Sequence, residues 1–186
     1  GGGVCAEDSA AVIFKNCNIE DNRASAGGGL HFGSANPIIT DSNFVNNLAY
    51  HGGGIFGERG DALIKDSNIA GNRAELSIYP AYPDANLAEN YGEVWGMGGG
   101  LHLWGTYADV NGSHIHDNFA ESSGGGLYFG GETAPQLFNS LVTDNTAGRD
   151  GGGVSANIYS QLDITNSTIV NNYVTGAYDT ANFGGG

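Results

Sequence analysis

Glu7, His31 and Glu58 offer this chain one route to acid–base chemistry. Two carboxylates whose backbones stand about 9.6 Å apart suit a general acid and a water-activating base on either side of a glycosidic bond, as in an inverting glycosidase. That separation arises only if Glu7 and Glu58 lie two strand layers apart, with His31 between and beside them. Gly33 separates the two acids, no second acid pair tightens the group, and Arg59 is the only base nearby. Catalysis through Glu7, Glu58 and His31 is therefore an alternative, and the leading expectation is a non-catalytic chain.

Aromatic residues suggest a different chemistry, the stacking of flat rings on sugars or on a neighbouring protein. His102, Trp104 and Tyr128 fall at outward positions of the same repeated segment as Glu7. Tyr79, Tyr82, Tyr91 and Trp95 fall in one insertion and Tyr178 in another. Together they form the expected binding face. Asp84, Glu89 and Glu93 of the long insertion would suit calcium but lack the dense spacing of a dedicated loop. His114 and His116 flank Ile115 and share a face, without a third metal ligand in the pattern. No other cofactor is expected.

All of these positions are set by a repeat. Three glycines and a branched aliphatic residue occur at Gly1–Val4, Gly27–Leu30, Gly52–Ile55, Gly98–Leu101, Gly124–Leu127 and Gly151–Val154. A second marker, a small polar residue at Cys17, Ser42, Ser67, Ser113, Ser140 and Ser167, recurs at steps of 25, 25, 46, 27 and 27. A third is Asn22, Asn47, Asn72, Asn118, Asn145 and Asn172. Such a period is one turn of a solenoid, and the long step is one turn plus an insertion.

Within each unit apolar residues alternate with period two, which is a strand pattern. Leu30, Phe32, Ile39 and Phe44 should face inward and His31 and His102 outward. Three short strands in about 25 residues leave no room for hairpins, so each strand must pair in parallel with its equivalent in the next unit. Crossovers between parallel strands are right-handed. The expectation is an all-β chain, a right-handed parallel β-helix of about six turns and about 29 Å length, one domain over residues 1–186. Stacked Asn side chains would form a structural ladder at a tight corner, Asn itself tolerating the left-handed backbone there. Residues 75–97 and the shorter 173–183 should project from one corner, with the strand ladder passing from Ile64 directly to Val110.

The net charge of −14, from 20 acids against 6 bases, argues against nucleic acid or an anionic membrane as partner. No apolar run reaches the length of a membrane span. Cys5 should point outward and Cys17 inward, so a bridge between them is not expected.

Gly27-Gly28-Gly29-Leu30 together with Phe44-Val45-Asn46-Asn47 resembles the repeats of the chlamydial-type polymorphic outer-membrane proteins, and the likeness covers nearly the whole chain outside the insertions. It implies a structural or adhesive segment of an extracellular bacterial surface protein or fibre. A carbohydrate-binding module and a polysaccharide-degrading enzyme are the alternatives. The repeat opens at Gly1 and reopens at Gly184–Gly186 with no capping segment. Its partners are therefore expected to be further repeats of the same polypeptide or copies of itself docked head to tail, with surface glycans as possible ligands.

Overall fold

A computed structural model describes residues 1–75, 96–157 and 159–176. Among these the regular structure is all β, and every strand pair is parallel. The strand that follows each glycine triplet stacks on its equivalents in the order Val4–Glu7, Leu30–Gly33, Ile55–Lys65, Leu101–Asn111, Leu127–Gly130, Val154–Ala156. A second ladder contains Ile13–Lys15, Ile38–Thr40, Gln136–Phe138 and Asp163–Thr165. The two ladders join into one sheet because Ile55–Lys65 and Leu101–Asn111 run through both without a break. A third ladder, a six-stranded sheet of its own, runs from Asn18–Glu20 to Thr168–Val170.

The repeat also builds a fourth ladder that alternation did not reveal. Leu48–Ala49, Arg73–Ala74, Phe119–Ala120, Thr146–Ala147 and Tyr173–Val174 form a five-stranded sheet of two-residue strands. Two residues are too few to show a period.

The inward residues make a thin continuous core. Leu30, Phe32, Ile39 and Phe44 are fully buried, as are Ile64, Leu103, Ile115 and Phe129. Size matching across layers keeps it closed. Gly57 lies between Phe32 and Leu103, and a β carbon there would collide with the Phe32 ring. Ile164, whose equivalents Ile64 and Leu137 have no exposure, is 44% exposed. The layer at Asp163–Thr165 thus shows core to its surroundings.

The glycine triplets are corners. Gly27 has φ of 58°, in the left-handed region that side chains other than glycine's disfavour. A β carbon on Gly28 would meet the Gly53 carbonyl of the next turn, so adjacent backbones approach there as only glycine allows.

Val110 pairs with Ile64 and Leu101 with Ile55, so the register passes across the long repeat. Glu75 and Gly96 donate their backbone N–H to the carbonyls of neighbouring residues, Ala49 and Tyr50. Glu75 and Gly96 therefore sit at adjacent points of the stack. Residues 76–95 and 177–183, which hold most of both expected projections, lie outside the described residues.

Candidate functional site

The outer side of the first ladder brings together the residues singled out for chemistry. Strand register sets Cys5, His31, Phe56, His102, Tyr128 and Ser155 side by side in one column. Their rings are in contact, with centroids 5.3 Å apart for His31 and Phe56, 5.0 Å for Phe56 and His102, and 4.8 Å for His102 and Tyr128. His51, at the corner, adds its ring 5.2 Å from that of His102.

That packing changes what two of these residues can do. His102 and Tyr128 face away from the core but are each only 3% exposed. The expectation that His102 is outward holds for direction and not for access, because strand alternation fixes direction alone. His51 folds over the column, and Asn157 donates from Nδ2 to the Tyr128 hydroxyl at 3.1 Å. Neither nitrogen of His102 has a partner at hydrogen-bond geometry. Burial holds its pKa well below the usual histidine value, His51 adds to the depression, and the Met97 backbone opposes it to a lesser degree. Burial likewise lowers His51 to about 4.

The parallel column is Glu7, Gly33, Glu58, Trp104 and Gly130. Glu7 Oε1 lies 3.4 Å from His31 Nδ1 and 3.4 Å from Cys5 Sγ. Glu58 instead pairs with Arg59, 3.6 Å away. The two acids considered for catalysis therefore turn to different neighbours. His31 has a lowered pKa, chiefly through burial and then through the chain's amino group, while Glu7 and Glu58 pull the other way. Trp104 lies flat over Gly130, where a β carbon would strike the indole, and at 40% exposure it is the accessible aromatic among the described residues of the expected face.

A groove of about 490 Å³ beside this column was not anticipated. Asn36, Ile38, Asp61, Leu63, Tyr107 and Asp109 line it, and Tyr107 is 57% exposed. The signal was present, since buried Ala108 in an alternating strand places Tyr107 outward.

The six asparagines are structural in geometry. Each of the first five donates from its backbone N–H and its Nδ2 to Oδ1 of the next, as Asn47 does to Asn72 at 2.9 and 3.0 Å. Nδ2 of Asn47, Asn72, Asn118, Asn145 and Asn172 also donates to a carbonyl of the previous turn. The left-handed backbone expected at these asparagines belongs to the residue before each, namely Asp21, Asn46, Gly71, Asp117, Asp144 and Asn171. The corner is turned there, which leaves each ladder asparagine free to aim its side chain inward. A second ladder runs through the serines. The N–H of Cys17, Ser42, Ser67, Ser113 and Ser140 each reaches the next Oγ at 3.2 Å.

His114 and His116 stack with centroids 4.0 Å apart. Both His116 nitrogens are engaged, Nδ1 by Asp117 and Nε2 by Asn68, so the pair does not form a ligand set. Cys5 and Cys17 are free thiols. Tyr79, Tyr82, Tyr91, Trp95 and Tyr178 of the binding face, and Asp84, Glu89 and Glu93 of the calcium reading, lie outside the described residues. Among the described residues no helix is long and apolar enough to cross a membrane.

Neither a curated protein nor a solved structure matches the chain. Residues 1–91 match the family model described as "Right handed beta helix region", and with the parallel ladders that continue beyond them this makes the chain a right-handed parallel β-helix.

Proposed function

We propose that this chain is a structural, adhesive rod in an extracellular bacterial surface protein or fibre, contacting its partners through its sides and extending through its ends. The observation that carries this reading is the unbroken stack. Hydrogen-bonded asparagines run through all six turns, from Asn22 to Asn172, and the layer at Asp163–Thr165 leaves Ile164 partly uncovered. A strand edge beside exposed core is a surface on which further turns can stack, whether of the same polypeptide or of another copy. The likeness of the repeat to those of polymorphic outer-membrane proteins supports surface display.

The test combines association with turnover. Purified chain should associate end to end in sedimentation and electron microscopy, and Ile164→Lys should abolish that association. Release of reducing ends from a polysaccharide panel, lost in Glu58→Gln, would overturn the reading in favour of an enzyme.

One observation favours a second reading, carbohydrate binding. An exposed Tyr107 ring beside Asp61, Asp109 and Asn36 offers a sugar one stacking face and several hydrogen-bond acceptors. Glycan-array binding lost in Tyr107→Ala would support it, and binding unchanged in that variant would remove it.

A further inference from the structure

Three chemically different ligands converge where the first two turns meet. Register sets Cys5 beside His31 and Glu7 beside Gly33. Cys5 and Glu7, two apart on one strand, both face outward. Gly33 has no side chain, and a β carbon there would collide with Glu7 Oε2. The glycine therefore makes the space into which the carboxylate bends.

The resulting triangle has edges of 3.4 Å from Cys5 Sγ to Glu7 Oε1, 3.4 Å from His31 Nδ1 to Glu7 Oε1, and 3.9 Å from Cys5 Sγ to His31 Nδ1. A tetrahedral zinc ion, with Zn–S of about 2.3 Å and Zn–N and Zn–O of about 2.0 Å, holds its ligand atoms about 3.3–3.6 Å apart. Two edges fall in that range, and a small rotation of the imidazole closes the third.

A nucleophilic relay would have a different shape. There the imidazole faces the thiol with one nitrogen and the carboxylate with the other. Here His31 Nδ1 faces both, and Nε2 is buried without a partner. The three atoms form a triangle with no edge longer than 3.9 Å rather than a chain.

We propose that Cys5, Glu7 and His31 form a binding site for a zinc-class divalent cation, with the fourth position open to solvent. A thiolate and an imidazole select zinc, cobalt or copper over calcium and magnesium, which require oxygen ligands. The cation would tie the first turn to the second, since its ligands come from both.

The experiment is titration of the reduced, full chain with Co²⁺ alone, read by visible absorption, and with Zn²⁺ alone, read by thermal unfolding. A thiolate-to-cobalt charge-transfer band and a rise in Tm with Zn²⁺ but not Ca²⁺ are expected. Loss of an outer-shell partner weakens metal sites by about 10–100-fold, so Cys5→Ser and His31→Gln should each weaken binding by at least about tenfold. Cys17→Ser and His114→Ala should leave it unchanged. All four variants are compared by far-UV circular dichroism, and Glu7→Gln at an exposed position supplies a fifth that keeps the fold. The absence of any band at micromolar cobalt, or a band that survives Cys5→Ser and vanishes in Cys17→Ser or His114→Ala, overturns the proposal.

Discussion

Asn118 donates to Oδ1 of Asn145 twice, from its backbone at 3.0 Å and from its side-chain amide at 2.9 Å, while its own Oδ1 accepts the same pair from Asn72. One buried side chain thus joins three turns. Asn118→Ala leaves the Asn72 backbone N–H without its acceptor and removes one further bond each from Asn72 Nδ2, which keeps the Phe44 carbonyl, and from the Ile69 carbonyl. At about 1–3 kcal/mol for a buried group left unsatisfied, the loss should be about 1–3 kcal/mol. Asn22→Ala, at a less buried position with fewer bonds, should cost less, and urea unfolding of the two variants checks the ranking.

The core should respond to both removal and addition of volume. Phe44 is fully buried and meets Phe14 edge to face at 5.9 Å, so Phe44→Ala is expected to cost about 3–5 kcal/mol. Gly57→Ala drives a methyl group into the Phe32 ring and should cost about 1–3 kcal/mol. Equal stability of Gly57→Ala and the parent chain would show that the Phe32 ring has room to move.

The buried histidines set a pH dependence. His51 is lowered to about 4 in the fold against 6.5 in the unfolded chain, so the unfolded chain takes up a proton that the fold refuses. Stability should be constant above pH 6.5, fall through the interval from 6.5 to 4, and level off below, by about 3 kcal/mol from His51. His102 is depressed in the same direction. His102→Phe should reduce that fall and be neutral or stabilising by up to about 1 kcal/mol, because it replaces buried nitrogens that lack partners. Denaturant titrations across this pH range make the comparison.

The long repeat is expected to tolerate shortening. Because Glu75 and Gly96 bond to adjacent residues, replacing residues 76–95 by a short glycine linker should leave the strand register and the far-UV circular dichroism unchanged. Cooperative unfolding lost on that replacement would show that the segment covers core.

Much of the fold was legible because the sequence marks each turn three times, with glycines, a small polar residue and an asparagine. Those marks fix the register, and alternation then buries Leu30, Phe32, Ile39 and Phe44. Alternation says which way a side chain points and nothing about what lies on top of it, so the covering of His102 by His51 and its column neighbours was not readable. The convergence of Cys5, Glu7 and His31 was hidden for another reason. It depends on Gly33 in the adjoining strand yielding space to Glu7, a contact between residues 26 apart along the chain that no local pattern encodes.

The asparagine column has a direction. Every bond from one asparagine to another in it runs from the lower-numbered turn to the higher, so along the column one direction offers donors and the other an acceptor. Two such rods can continue it only by setting the Asn172 end of one on the Asn22 end of the next, because the opposite meeting sets like against like. Any assembly that preserved the column would be vectorial, with a growing tip chemically unlike its base, and a single exposed amide would be enough to tell the two apart.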